Sequence, residues 1–175
     1  MFIGVESASQ ATLDRVNKAA SVEREVENIF LAIEMGFQVE TSFIIGFPWE
    51  TESDLKATFE LHSELLKYGA KRSQVGVLSP IPGTEIVVQG KIVFDGSQSY
   101  FSDDGIALSK EHREMIHSFP DLFSHFGRYE TPNLSSRVIG SYKNAAAQVS
   151  GLFSARRKEQ SNSAIPFAGR SAANL

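Results

Sequence analysis

The sequence contains no cysteine among its 175 residues. This absence excludes disulfide bonds, thiolate nucleophiles, zinc–thiolate sites and cysteine-ligated iron–sulfur clusters from the chain. Long apolar runs are also missing, since no stretch approaches the roughly 20 residues of a membrane span. The first residues lack the basic flank and long apolar core of a signal peptide. We therefore expect a cytoplasmic protein with no membrane partner.

The sequence also lacks an excess of positive charge, with 17 Lys and Arg against 21 Asp and Glu. The formal net charge is −4 and the pI is about 5.6, whereas proteins that bind nucleic acid carry a basic face. We therefore expect no nucleic-acid partner.

The histidines show no metal-ligand spacing with carboxylates, and no serine has an acid–base partner. We predict neither a metal site nor a catalytic residue, and we place all four histidines at helix surfaces or core edges: His62, His112, His117 and His125.

Apolar runs predict three short strands, near residues 2–6, 38–46 and 74–79. Amphipathic helices lie between them and end near Gly36 and Gly69, where glycine commonly terminates a helix. Strands that alternate with helices form parallel sheets with right-handed crossovers. The fold class is therefore α/β, and a partial TIM-like (βα) barrel is expected, because a complete eight-stranded barrel needs roughly 250 residues.

The periodic pattern weakens after residue 90. It predicts a short strand at 92–94, a helix at 109–118 and a further helical region that reaches about residue 152. The remaining sequence is rich in Ser, Asn and Ala, a composition typical of disorder. We divide the chain into a partial barrel at 1–90, a mainly helical C-terminal extension at 91–152 and a disordered tail at 153–175.

The polar residues that follow each strand are candidates for chemistry, because the reactive face of a βα barrel lies at the C-terminal ends of its strands. Glu6 and Ser7 have the groups to bind a ribose diol; alternatively, Ser7 or Ser9 caps the next helix and Glu6 makes an ion pair. Gly46 permits close approach of a flat ligand to the backbone; alternatively, residues 46–51 form an ordinary βα turn. The rigid segment 80–84 has no specific signal of its own.

Three motifs occur in an order and spacing that resemble strands four to six of the radical S-adenosylmethionine (SAM) barrel, especially the branch that carries a cobalamin-binding domain. They are Gly4-Val5-Glu6-Ser7, with Leu13 and Asn17-Lys18 after it; Phe43 to Thr51, which reads FIIGFPWET; and Pro80 to Glu85, which reads PIPGTE. Two residues depart from the family pattern, which often has glycine at both positions: Ser42 and Trp49.

The resemblance implies a set of SAM contacts. Glu6 and Ser7 would bind the ribose, and Ser42, Ile44 and Gly46 would support the adenine. Leu78 and Pro80, at the exit of the third strand, would lie nearby.

The family also uses a 4Fe-4S cluster, held by a CxxxCxxC loop, to cleave SAM into a deoxyadenosyl radical. This chain has no ligands for that cluster, so the cluster is expected only in a complete homologue, where cobalamin could also bind. The sequence thus predicts a C-terminal fragment or truncated form of a radical SAM enzyme that is inactive alone. The alternative is a non-catalytic half-barrel interaction module that completes a separate cysteine-bearing chain.

Overall fold

A three-stranded parallel sheet forms the centre of the fold. The structure is a computed structural model and describes residues 1–79, 81, 84, 92–94, 108–119, 122–123, 126–129 and 131–163. The strands lie in the order β1-β2-β3 and both pairings are parallel. The three predicted parallel strands are confirmed, with these bounds: β1 Phe2–Glu6, β2 Glu40–Ile45 and β3 Arg72–Val77.

The pairing of β1 with β2 contains one irregularity. Gly4 lies opposite Ser42, whereas Glu6 lies opposite Phe43, so the register shifts between Gly4 and Glu6. Two residues of β1 therefore match a single step of β2, which is the definition of a β-bulge. The pairing of β2 with β3 is regular over its whole length. The irregularity is therefore confined to the β1–β2 pair and lies at the carboxyl end of β1.

Five helices lie within the described residues. Their N-termini follow local signals: Ser21 Oγ accepts the Arg24 amide at 3.5 Å, and the Asp54 carboxylate accepts the Thr51 amide at 2.9 Å as half of the predicted capping box. Such caps satisfy amides that have no partner inside the helix. The bounds are α1 Gln10–Arg15, α2 Val22–Glu34, α3 Glu52–Tyr68, α4 Lys110–Ser118 and α5 Ser136–Ser163.

The helices cover one face of the sheet. Val5 and Phe43 point into a core that they share with apolar side chains of α2 and α3. Alternate residues of a strand point to opposite faces, and along β2 buried and half-buried residues do alternate. The half-buried positions, Ser42 and Ile44, thus lie on the other face together with the exposed Gly76 of β3. We call this second surface the open face.

The short strand predicted at 92–94 is present as β4 Ile92–Phe94, and it pairs antiparallel with β5 Gly127–Tyr129. Another prediction for the C-terminal half needs correction. The prediction of disorder from residue 153 is wrong for 153–163, which belong to α5. The Arg157 guanidinium donates to the Ala70 carbonyl at 2.6 Å, a tertiary contact that fixes this part of the helix.

The rest of that predicted tail, 164–175, lies outside the described residues. Within the described ranges, no helix is both long and apolar enough to cross a membrane.

Candidate functional site

The carboxyl ends of the three strands meet at one edge of the sheet, because all three strands are parallel. Glu6 ends β1, Gly46 follows β2 and Leu78 follows β3. The ladder extends to the last of these, since the Leu78 amide donates to the Ile45 carbonyl at 2.8 Å. This edge, with the adjacent part of the open face, is the candidate site.

Glu6 lies at the bulge with a positive φ of 68°. Its side chain folds back over Gly4, so that a Cβ atom placed on Gly4 would collide with Glu6 Oε1. The same Cβ position lies 3.8 Å from Ser42 Oγ. The Glu6 carboxylate is therefore on the open face, near the Ser42 hydroxyl. In the described part of the chain, no hydrogen bond or ion pair engages either of these two side chains.

Ser7 turns to the opposite side of the sheet. Its side chain is fully buried, and its hydroxyl accepts the Ser9 amide at 3.1 Å and contacts Thr58 Oγ1 of α3 at 3.5 Å. Consecutive residues of a strand point to opposite faces, and Ser7 lies on the same side as the buried Val5. The structure therefore does not bring Glu6 and Ser7 together, and the Ser7 hydroxyl serves to fasten the β1–α1 loop to α3.

The turn after β2 is closed by Glu50, a glutamate to which the sequence assigned no role of its own. Glu50 is fully buried, and its Oε2 accepts the Gly46 amide at 2.7 Å and the Phe47 amide at 2.9 Å. Its Oε1 has no partner within the described residues. Burial raises the pKa of Glu50 from 4.5 to about 7, although the two amides oppose this shift.

This closure limits what Gly46 can do. Gly46 has a φ of +93°, a conformation that favours glycine, and its amide already donates to Glu50. Gly46 was expected to support the adenine, but its amide is engaged inside the turn and is not free for a ligand. The signal that could have revealed Glu50 is its position four residues after Gly46, within reach of the amides of a tight turn.

Trp49 joins this turn to α1. Its indole stacks on Phe47 with ring centroids 5.3 Å apart, and its Nε1 donates to Thr12 Oγ1 at 3.3 Å. The Arg15 guanidinium lies 5.3 Å from the indole centroid, within the range of a cation–π contact. The motif that this turn resembles often has glycine at this position, and Trp49 makes contacts that glycine could not provide.

Four predicted contacts remain: Ser42, Ile44, Leu78 and Pro80. Ser42 and Ile44 lie half-buried on the open face, on the same side as the Glu6 carboxylate. Leu78 is half-buried at the end of β3. Pro80 lies outside the described residues. The structure thus brings Glu6, Ser42 and Ile44 to one surface.

His62 corrects the expectation that every histidine lies at a surface or core edge. It is fully buried; Nδ1 lies 2.8 Å from Ser73 Oγ and Nε2 lies 3.2 Å from the Ala146 carbonyl oxygen. Burial lowers the pKa of His62, and the Ala146 carbonyl partly offsets this. The side chain joins α3, β3 and α5, which is a structural role. Among the described residues, no three His, Asp or Glu side chains form a cluster that could hold a metal ion.

Comparison with known proteins gives partial similarities to enzymes. No protein-family model matches the chain. An uncharacterized methyltransferase of Pyrococcus horikoshii is 31% identical over 87 residues, which are 49% of this chain and 18% of the relative. A putative methylthiotransferase of Methanocaldococcus jannaschii is 35% identical over 88 residues, again 49% and 18%.

A longer match extends into the C-terminal half. The tRNA-2-methylthio-N(6)-dimethylallyladenosine synthase of a Ruegeria species is 28% identical over 137 residues, or 74% of this chain and 30% of the relative. The chain therefore spans less than a third of the length of each of these relatives. Their names refer to enzymes that transfer or install methyl or methylthio groups.

Proposed function

We propose that this chain forms the part of a radical SAM barrel that holds the ribose and adenine of SAM. The observation that carries the proposal is the Glu6 carboxylate, which lies on the open face at the strand ends, near Ser42 and without a partner in the described part of the chain. A carboxylate can accept hydrogen bonds from both hydroxyls of a diol, and such charge-assisted bonds are strong. A ribose diol supplies the donors that Glu6 lacks.

The residues on the open face fit the two parts of an adenosine group. Glu6 is an acceptor and the Ser42 hydroxyl is both a donor and an acceptor for the sugar. Ile44 lies two residues after Ser42 in β2, on the same face, and offers apolar surface to a base. Ser7 is not included, because its hydroxyl is buried against α3. The role of the chain in this proposal is to bind and orient the nucleoside.

The residues do not fit a 4Fe-4S cluster, because the chain has no cysteine. No step through that cluster is therefore assigned to this chain. In the family that the motifs resemble, cleavage of bound SAM supplies a deoxyadenosyl radical. We propose that the cysteines come from another segment of a longer protein or from a separate chain, which this sheet would join to complete the barrel.

The similarities to relatives support this assignment at the level of the family. The matched lengths are 87, 88 and 137 residues, and the relatives are named for methyl or methylthio chemistry. The order of the motifs at 4–7, 43–51 and 80–85 supports the cobalamin-associated branch. The substrate that would receive the radical is left unassigned.

The test is a calorimetric titration of the full 175-residue chain with SAM. We expect the wild-type chain to bind SAM and Glu6→Gln to bind it about tenfold or more weakly, because a hydrogen bond to a charged group is lost. The matched control is Glu40→Gln, since Glu40 lies on the same face at the opposite end of β2. A wild-type chain that does not bind SAM, or a Glu6→Gln variant that binds it equally well, contradicts the proposal.

A further inference from the structure

Gly4 lies directly beneath the Glu6 carboxylate on the open face. A Cβ atom added to Gly4 would collide with Glu6 Oε1 and approach Glu6 Cδ to 3.4 Å. Apart from these two atoms, the nearest is Ser42 Oγ at 3.8 Å, an ordinary contact distance. The side-chain space of Gly4 is thus occupied by the carboxylate of Glu6. All the atoms in conflict belong to the tip of one flexible side chain, and none belongs to the backbone.

We propose that Gly4 is a positioning residue that sets the preference of the site for a ribose diol. Because Gly4 has no Cβ, the Glu6 carboxylate can fold back beside Ser42 instead of extending beyond the end of β1. This inference rests on the proposed binding of the SAM nucleoside and adds the feature that determines sugar specificity. Gly4 has no side chain that could contact the sugar, so its role is to leave space for the Glu6 carboxylate.

The backbone around Gly4 is held along the edge of β1 that does not pair with β2. The Lys18 ammonium donates to the Gly4 carbonyl and forms an ion pair with Glu25 at 3.2 Å. The inner side of β1 is held by its pairing with β2, where Gly4 lies opposite Ser42. A side chain at position 4 therefore cannot be accommodated by a shift of the strand, and the carboxylate must move instead.

Gly76 provides a matched control on the same sheet. It also lies on the open face, in β3, and among the described residues a Cβ added there would meet only the Phe43 carbonyl oxygen, at 3.8 Å. Gly76→Ala and Gly4→Ala thus add the same methyl group to the same surface, but only Gly4→Ala displaces the Glu6 carboxylate. Gly46 is not a suitable control, because its φ of +93° would strain an alanine.

The experiment compares the affinities of the full chain for adenosine and 2′,3′-dideoxyadenosine, which differ only in the two ribose hydroxyls. We expect the wild-type chain to prefer adenosine by about tenfold or more, the range of a hydrogen bond to a charged group. Gly4→Ala should remove this preference while retaining the affinity for dideoxyadenosine, and Gly76→Ala should keep the preference for adenosine over dideoxyadenosine. Glu6→Gln should resemble Gly4→Ala.

Two further readouts separate displacement of the carboxylate from damage to the fold. The side-chain carboxyl 13C resonance of Glu6 should shift in Gly4→Ala and stay in place in Gly76→Ala, with no ligand present. The thermal unfolding midpoints of both variants should stay close to that of the wild-type chain, because the displaced group is a flexible tip.

The outcomes distinguish this inference from the proposed function. If Glu6→Gln loses the sugar preference and Gly4→Ala keeps it, the inference is overturned and the proposed function stands. A Gly4→Ala variant that weakens both nucleosides equally overturns the inference as well, since that result indicates general damage. A wild-type chain that binds neither nucleoside overturns the proposed function, and the specificity role of Gly4 with it.

Discussion

Two glutamates near the strand ends, Glu6 after β1 and Glu50 after β2, have opposite environments. Glu6 is half-buried on the open face, and within the described residues its carboxylate has no partner. Glu50 is fully buried, and two backbone amides donate to its Oε2. The carboxylate that sequence reasoning proposed for binding is thus the accessible one, and the carboxylate that it overlooked is enclosed by its own turn.

The contrast teaches which feature indicates a binding role at this edge. A strongly shifted pKa often marks a functional group, but structural hydrogen-bond networks produce such shifts as well. Glu50, with its pKa raised to about 7, is accounted for by the turn that it closes. Glu6 has no partner for its carboxylate among the described residues, and its backbone is held at a φ of 68°. This lack of partners in the described part of the chain selects Glu6 as the candidate.

The largest expected effect is on stability and comes from Glu50→Ala. The substitution leaves the Gly46 and Phe47 amides buried without their acceptor, and each such loss costs about 1–3 kcal/mol. We expect the free energy of unfolding, measured by urea denaturation at pH 7, to fall by about 2–5 kcal/mol. Glu6→Ala is the control and should change it by less than about 0.5 kcal/mol. Equal effects of the two substitutions would remove the distinction between the two glutamates.

The next effect is a pH dependence of the stability that comes from Glu50. Its pKa is raised from 4.5 to about 7 in the folded state, so its stabilising contribution is fully present below pH 4.5 and is lost as the pH rises to about 7. Glu50→Gln keeps an acceptor and cannot ionise. Between those pH values the wild-type chain should lose on the order of 3 kcal/mol of stability relative to Glu50→Gln.

Urea denaturation at several pH values measures this difference. His62 acts in the opposite direction. Because its pKa is lowered in the folded state, it stabilises the fold at pH values above the ordinary pKa of histidine, and this contribution is lost as the pH falls. His62 is present in both chains, so its effect cancels when they are compared. Parallel stability curves for the two chains would show that Glu50 ionises normally in the fold.

A smaller effect on the free energy of unfolding is expected from Lys18→Met, because Lys18 holds the backbone of β1 two residues before Glu6. The substitution keeps the aliphatic stem but removes the ammonium group that binds the Gly4 carbonyl and Glu25. We expect a loss of about 1–2 kcal/mol, because a charged hydrogen bond disappears and Glu25 loses its ion-pair partner. Lys56→Met is the control, since its pair with Glu60 is exposed and 3.8 Å long. Its effect should be below about 0.5 kcal/mol, and equal losses would contradict a special role for Lys18.

The sequence was sufficient for features that depend on local pattern. The strands, the helix ends near Gly36 and Gly69 and the capping interaction of Thr51 with Asp54 all follow from residue spacing, and the structure contains them. The parallel direction of the strands follows from the helices between them. These predictions needed no knowledge of distant contacts.

Features that depend on register or on distant partners were not accessible in the same way. The bulge between Gly4 and Glu6 shifts the register of β1 against β2, and no pattern in the sequence indicates it. His62 is buried because Ser73 and Ala146 satisfy both of its ring nitrogens. The polar end of α5 is held by the contact of Arg157 with Ala70, which are far apart in sequence.

The smallest expected effect tests whether Glu6 is retained at the expense of stability. A left-handed backbone is unfavourable by roughly 1–2 kcal/mol for a residue with a Cβ, whereas glycine adopts it readily. Glycine also increases the freedom of the unfolded chain, which offsets part of this gain. Glu6→Gly should therefore raise the free energy of unfolding by about 0.5–1 kcal/mol.

Glu6→Ala is the matched variant for this test, because it removes the same carboxylate but keeps the Cβ atom at a φ of 68°. The two variants should bind nucleosides equally weakly and differ only in stability, with Glu6→Gly the more stable in urea denaturation. A Glu6→Gly variant that is less stable than Glu6→Ala would mean that the backbone at the bulge is not strained. In that case the partnerless carboxylate alone would distinguish Glu6 from Glu50, whereas a gain in stability would show that the fold holds Glu6 on the open face against its backbone preference.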